Sequence, residues 1–357
     1  VTPRRWIEAG RLPLFFVLLL VLLAATMVVG IAVGSTSIAP ARVLRVLLAG
    51  IMPASPGPIG SGAPDDTDAV VIWLVRMPRV LVAALVGAAL GIAGAQMQGL
   101  FQNPMASPDV IATSSGAALG AVLAIAGGLA QQSAFWLPLC AFLGALATLL
   151  VVHGLTTRGG RTPMAMLLLA GVALNALVGA ALSFVLFVFN RTSYEISQQV
   201  LFWLLGGLSS RTWTHVWMAA PCVLAGVAVS LFYARDLDLF LAGEETALSL
   251  GVEVERVKRT VLVTAALLTG AAVAVSGVVA FVGLIIPHIV RLLVGPSHRR
   301  LIPAAGLIGA IFLVLADLAA RTIRPPEEIA LGVITAACGA PFFLYLLTRF
   351  RREVGYL

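Results

Sequence analysis

The chain has 357 residues, of which 60% are hydrophobic and only 11% charged, and its mean hydropathy is +1.03. A soluble domain carries roughly 25% charged residues, so this composition excludes a soluble enzyme, a disordered chain and a disulfide scaffold. The net charge of +7 is scattered between apolar runs without interleaved aromatics. It reads as the positive-inside bias of a membrane protein, and no nucleic-acid partner is expected.

Charge-free windows set the predicted elements, because backbone groups in lipid must be paired within helices or shielded by protein. Residues 14–34 form the first helix. Arg4, Arg5 and Arg11 precede it as in a signal peptide, but the apolar stretch is about 20 residues long and lacks a small-x-small cleavage site, so a retained span is expected. Residues 53–68, dominated by Pro, Gly, Ser and Asp, read as a flexible external loop. Helices follow at 79–99, 110–128 and 134–153, the last two separated by Gly127-Gly128 and Gln131-Gln132-Ser133. Next comes a helix at 164–189. Residues 195–208 are apolar but too short to span and should lie at the outer surface.

A helix at 213–233 leads into an inner segment, 241–252, that reads as a short helix. Glu244 and Glu245 suit its N-terminus, and Gly251 follows its last apolar residue as a stop. Its acidic character favours a protein partner over a lipid surface. Ser276-Gly277 and Gly283 divide the next window into 258–280 and 284–295, the second short for a full crossing. Helices at 301–320 and 329–349 bring the total to ten. The expected fold is therefore an all-α integral membrane domain, 1–357, with ten transmembrane helices. With the N-terminus inside and strict alternation, fourteen basic residues fall inside and eight outside. Both termini are expected to be cytoplasmic.

Other residues receive plainer readings. Gly87…Gly91 and Gly116…Gly120 are small-xxx-small patterns that let helices approach closely. Cys140, Cys222 and Cys338 are far apart, form no CxxC, and read as small buried hydrophobes. His288 is assigned a structural role, His153 and His215 fall at span ends, and Asp317 can pair with Arg321 one turn on. Lys258 is the single lysine and follows no glycine-rich loop, so the chain has no Walker-type nucleotide site. No metal set, cofactor or catalytic group is expected, and the chain does not read as an enzyme.

Several motifs together carry a resemblance. They are Arg76-Met77-Pro78-Arg79, Gln102-Asn103-Pro104-Met105-Ala106-Ser107-Pro108-Asp109, Ser114-Ser115-Gly116-Ala117 and Trp203-Leu204-Leu205-Gly206-Gly207-Leu208. Gly243-Glu244-Glu245 through Leu250-Gly251, Gly283-Leu284-Ile285-Ile286-Pro287-His288 and Gly339-Ala340-Pro341-Phe342-Phe343 continue the series. In this order, from about residue 70 to 349, the chain resembles the FecCD family of ABC importer permeases for iron-siderophores, haem and cobalamin.

The resemblance implies a multi-pass protein of the bacterial cytoplasmic (inner) membrane. It implies a second permease subunit forming a homodimer, two ATP-binding subunits on the inside and a substrate-binding protein outside. Outer basic sites at Arg76, Arg79 and Arg321 would receive the binding protein. A cytoplasmic gate would lie at Asn103, Pro104, Met105, Met164 and Ala165. Gly243, Glu244, Glu245, Ala247, Leu250 and Gly251 would form the coupling helix. The Asn-Pro-Met-Ala-Ser-Pro-Asp loop resembles siderophore permeases more than haem or cobalamin members. An ion-coupled secondary transporter is the competing class, and it calls for acids at mid-span. The acids of this chain lie in predicted loops or near helix ends.

Overall fold

The computed structural model describes residues 9–34, 37–51, 64–157, 159 and 161–354; Arg4, Arg5, Arg158 and most of the 53–68 loop lie outside them. Its apolar helices are α1 (Leu12–Ala32), α2 (Met77–Leu100), α3 (Thr113–Ala126), α4 (Trp136–Thr156) and α5 (Met164–Thr192). The rest are α6 (Trp213–Phe232), α7 (Val254–Ser276), α8 (Val282–Val294), α9 (His298–Thr322) and α10 (Leu331–Val354). Seven of these are long and apolar enough to cross a membrane, while α3, α8 and the apolar part of α10 are shorter.

The boundaries have local causes. α7 stops at Ser276 because Gly277 turns to φ 68°, where a side chain would also meet the Trp203 carbonyl. The stretch from Gly277 to Phe281 is non-helical, with Gly277 and Val279 buried and the rest half-buried. Backbone at this depth must find partners in the protein. Around it, the Gly207 N–H donates to the Ser276 carbonyl (2.8 Å), and those of Leu331 and Gly332 donate to Gly206 and Leu205 (both 3.0 Å). Three chain breaks thus satisfy one another.

α2 is the centre of the bundle. Almost all of Val86–Leu100 is buried, and it packs against α9, α7, α8 and α6. Small residues make this possible, since lipid gives helices no hydrophobic drive to associate and close packing has to supply it. A methyl group on Gly87 would overlap the Gly309 carbonyl oxygen of α9, and one on Gly309 would overlap that of Gly87. Gly116 and Gly120 play the same part between α3 and α4. By contrast, the apolar window of α5 is only 6% buried, against 78% for α7, so α5 presents its surface to lipid or another subunit.

Four features differ from the sequence expectation. Pro40–Ile51 is an amphipathic helix, where Arg42 and Arg45 had removed it from the charge-free windows. Pro64–Val70 is helical and leads through a π-helical turn, Val71–Arg76, into α2, so the end of the external loop is ordered. Ala234–Phe240 is a further short helix. The cysteines are free and not fully buried, with Cys338 exposed on α10, because no other described part of the chain covers that face of α10. A helix is present at Tyr194–Leu204, overlapping the apolar segment 195–208 that was too short to span.

Candidate functional site

One end of the bundle is built around arginines. The last carbonyls of α1 have no partner within their own helix, and α1 carries no basic residue in its last turn. Two other helices supply the caps. Arg76 Nη1 donates to the Ile31 and Ala32 carbonyls at 2.7 and 2.9 Å. Arg321 Nη1 and Nη2 donate to those of Val33 and Gly30 at 2.8 and 2.5 Å. A guanidinium at a helix C-terminus also complements its dipole. Arg76 is accordingly buried.

Arg79 is held between two carboxylates. Its Nε and Nη2 reach Asp317 at 3.0 and 2.8 Å, and its Nη1 reaches Glu328 at 2.7 Å. The expected Asp317–Arg321 pair exists at 3.4 Å, but Asp317 is nearer to Arg79. Asp317 is 1% exposed, so two guanidiniums neutralise one buried carboxylate. Arg324 at this end is exposed and pairs with exposed Glu327, and Arg45, in the helix after α1, is exposed as well.

The opposite end carries the other predicted site residues. The segment expected to couple to a partner folds as a helix over Glu244–Ser249, shorter than 241–252, and its two glycines explain the limits. Gly243 precedes it at φ 103° and Gly251 follows at φ 85°, conformations that side chains resist. At the C-terminus the Val252 N–H donates to the Ala247 carbonyl and the Gly251 N–H to that of Leu248, both at 3.0 Å, a Schellman motif. Ala247 is fully buried and anchors the helix, while Leu248 and Leu250 are 64% and 60% exposed. A groove of about 620 Å³ runs beside it, lined in part by Arg161, Glu244, Glu245 and Leu248.

Lys258 is buried on α7, with Nζ donating to Glu244 at 2.7 Å and Glu255 at 3.2 Å. Glu255 in turn accepts from the Thr162 N–H at 3.0 Å, two residues before Met164. Sequence reading used Lys258 only to exclude a phosphate loop. Asp238 of the helix Ala234–Phe240 was also missed. It accepts from the His298 N–H (2.6 Å) and the Ser297 hydroxyl (2.9 Å), and it pairs with His298 Nδ1 (2.8 Å). Burial opposes ionisation of Asp238, but these hydrogen bonds outweigh it and hold the carboxyl below its usual range. Ser297 ahead of a long helix was the available signal for this cap.

The proposed gate residues sit in two segments. Asn103 Oδ1 accepts from the Met105 N–H at 2.9 Å, closing a tight turn after α2 with Pro104 inside it. Met164 packs against the main core at the start of α5, and Ala165 is exposed. After this turn the chain re-enters the bundle. Gly171 leaves room for the Val110 carbonyl, and Asn175 Nδ2 donates to the Asp109 carbonyl at 2.9 Å. At 1.5 Å per helical residue these points lie roughly 10 and 16 Å along α5 from Met164. Asn175 also accepts from Ser115 at 2.5 Å. The motif from Asn103 to Ser115 is thus one folded unit bound to α5, with Asp109 exposed on it. His288 is buried with its ring edge-on to Phe342. His215 forms a capping box with Thr212, and His153 lies beside Thr157.

The described residues thus form a bundle of apolar helices with re-entrant backbone, charges gathered at its two ends and a glycine-bounded helix at one of them. The chain belongs to the FecCD transport family, whose model matches residues 19–349. It is 47% identical over 290 residues to the cobalamin import system permease protein BtuC of Halobacterium salinarum, covering 81% of this chain and 76% of that one. It is 41% identical to the hemin transport system permease protein HmuU of Yersinia pestis, covering 79% and 84%. Its fold matches a solved chain assigned to a metal-chelate type ABC transporter in an inward-facing conformation. That match has a TM-score of 0.81 at 30% identity, over 94% of this chain and 99% of the other. The protein is therefore an ABC importer permease of the cytoplasmic (inner) membrane.

Proposed function

We propose that the chain is the membrane-spanning half of an importer for a large metal chelate, with all ten apolar helices crossing the bilayer and both termini cytoplasmic. The Arg79–Asp317 end faces out and the Glu244–Ser249 end faces in. Two copies associate through the exposed surface of α5 and enclose one pathway. Separate ATP-binding subunits, one per copy, seat on the coupling helices and drive alternating access between two states.

The observation that carries this reading is the coupling helix. Its fold is fixed by two glycines, a Schellman motif and buried Ala247, yet its leucines point away from the chain. A helix so firmly terminated and so exposed is a plug for a socket on another protein. The test is co-purification and reconstitution. The wild type should retain an ATP-binding subunit and support ATP-driven uptake, and deletion of 243–251 should abolish both. Uptake that survives the deletion, or that runs on an ion gradient without ATP, would overturn the mechanism.

At the outer end the field of Arg79, Arg321 and Arg324 receives acidic side chains of the binding protein, Glu328 yielding its place on Arg79. Arg76 contributes by fixing α1, since its guanidinium is turned inward. Arg324→Glu should weaken binding-protein association most clearly at low salt, and unchanged association at low salt would remove this end from docking. Among cargoes we favour a ferric siderophore on the Asn103–Asp109 loop, with haem or cobalamin as the alternative. Titrating the cognate binding protein with each decides the matter, and retention of cobalamin or haem alone would overturn the siderophore reading.

A further inference from the structure

Two routes of direct contact run from the coupling helix to the two gate segments. The first uses one carbonyl. Phe240 O accepts from the Gly243 N–H at 3.0 Å, the bond that turns the chain into the coupling helix. The same oxygen accepts from Gln102 Nε2 at 2.6 Å, and Gln102 immediately precedes Asn103. Gln102 is held at φ 49° to reach it, a conformation that side chains avoid unless surroundings enforce it. Phe240 itself is fully buried, so the carbonyl is fixed from beneath. The second route is ionic, running from Glu244 at the first turn of the helix through Lys258 and Glu255 to the Thr162 N–H.

A third contact ties the same region to the core. Asp238 binds the N-terminus of α9, and His298 of α9 lies where any side chain on Gly99 of α2 would be. The segment from Asp238 to Glu244 is thus joined to α9, to the turn after α2 and to the turn before α5.

We propose that Gln102 and Lys258 are the positioning residues that transmit coupling-helix movement to the gate, Gln102 to the Asn103–Met105 turn and Lys258 to the Thr162–Ala165 turn. This inference rests on the importer reading above. When an ATP-binding subunit displaces the helix, the shared carbonyl and the Glu244–Lys258 pair must move with it, and both turns are drawn along. Neither residue touches the cargo, and neither takes part in hydrolysis.

The test uses the whole importer in proteoliposomes, with its ATP-binding subunits and binding protein, and measures cargo moved per ATP hydrolysed. Gln102→Glu keeps the shape but places an acceptor against the carbonyl. Lys258→Met keeps the buried stem and removes the charge, leaving two carboxylates that are already about two-fifths open to water. Each should lower the transport-to-hydrolysis ratio at least about five-fold while hydrolysis continues, since such couplings are typically worth factors of five or more. Lys258→Arg should restore most of the ratio. A ratio unchanged in both variants, with wild-type transport intact, would overturn the inference alone. A parallel fall of transport and hydrolysis would show a merely structural role and also overturn it. Should either variant fail to assemble, the other decides. Absence of ATP-driven transport by the wild type would instead remove the importer reading.

Discussion

The two ends of the bundle handle charge in opposite ways. At the arginine end, three α1 carbonyls and that of Val33 just beyond it, Asp317 and three guanidiniums close on one another, and the central carboxylate is 1% exposed. At the coupling end, Glu245 is open, Glu244 and Glu255 are partly open, and two leucines stand in solvent. Among the described titratable residues there, only Lys258 and His298 are buried. The first end spends its charges on holding α1, α2 and α9 together. The second keeps its outer layer uncommitted and its inner layer paired, as expected where another protein docks on a surface that has to pull on the interior. The contrast can be broken by substitutions whose cost depends on which end they strike.

The largest expected effect is Asp317→Ala. Removing one partner of a buried ion pair leaves uncompensated charge and typically costs about 3–5 kcal/mol. Here two cations, Arg79 and Arg321, lose their common anion. Thermal unfolding of the detergent-solubilised protein should show a large drop in midpoint. Glu328→Gln, on the same Arg79 but 39% exposed at the side chain, should cost at most about 1 kcal/mol. Equal losses from the two would mean that the arginine end is not closed as described.

Gly251→Ala comes next. At φ 85° an alanine is strained by about 1–2 kcal/mol, and the strain is local because a Cβ there meets nothing within 4 Å. The expected outcome is a frayed C-terminus of the coupling helix, read as faster hydrogen exchange at position 251 and Val252 with a midpoint little changed. A midpoint fall as large as that of Asp317→Ala would show that the helix is part of the folding core.

Much of this arrangement was legible because local causes leave local signs. Charge-free windows located the apolar helices, although α7 ends at Ser276 and not at 280, and Gly251 marked the stop of the helix Glu244–Ser249, whose start lies three residues later than expected. Gly87 and Gly116 flagged close approaches, although not their partners. What was illegible depends on pairs far apart in the chain. Arg79 and Asp317 are 238 residues apart, Lys258 and Thr162 are 96 apart, and no periodicity encodes either contact. Charge also misled in one respect. Arg42 and Arg45 hid an amphipathic helix, because a search for uncharged windows passes over helices lying along a surface. For the arginines the resemblance suggested a partner outside the chain, while the geometry of Arg76 shows how fully a guanidinium can be occupied by helix carbonyls.

The smallest expected effect on stability is the most informative about function. Leu248→Ala with Leu250→Ala truncates two side chains that are more than half exposed. Surface substitutions of this kind usually stay within about 0.5 kcal/mol. Neither leucine belongs to the packed core, and Ala247, which does hold the helix, is untouched. The fold and midpoint should therefore be those of the wild type. Association is another matter, because apolar side chains at the centre of an interface carry much of its energy. Loss of the ATP-binding subunit on co-purification, with the midpoint unchanged, is the expected pair of results. Retention of that subunit would move the docking surface elsewhere. A lowered midpoint would mean that the leucines are covered by the chain itself, which contradicts their exposure. The coupling end is distinguished from the closed Arg79–Asp317 cluster by this separation of stability from association: a substitution there should abolish assembly with the ATP-binding subunit while leaving the fold intact.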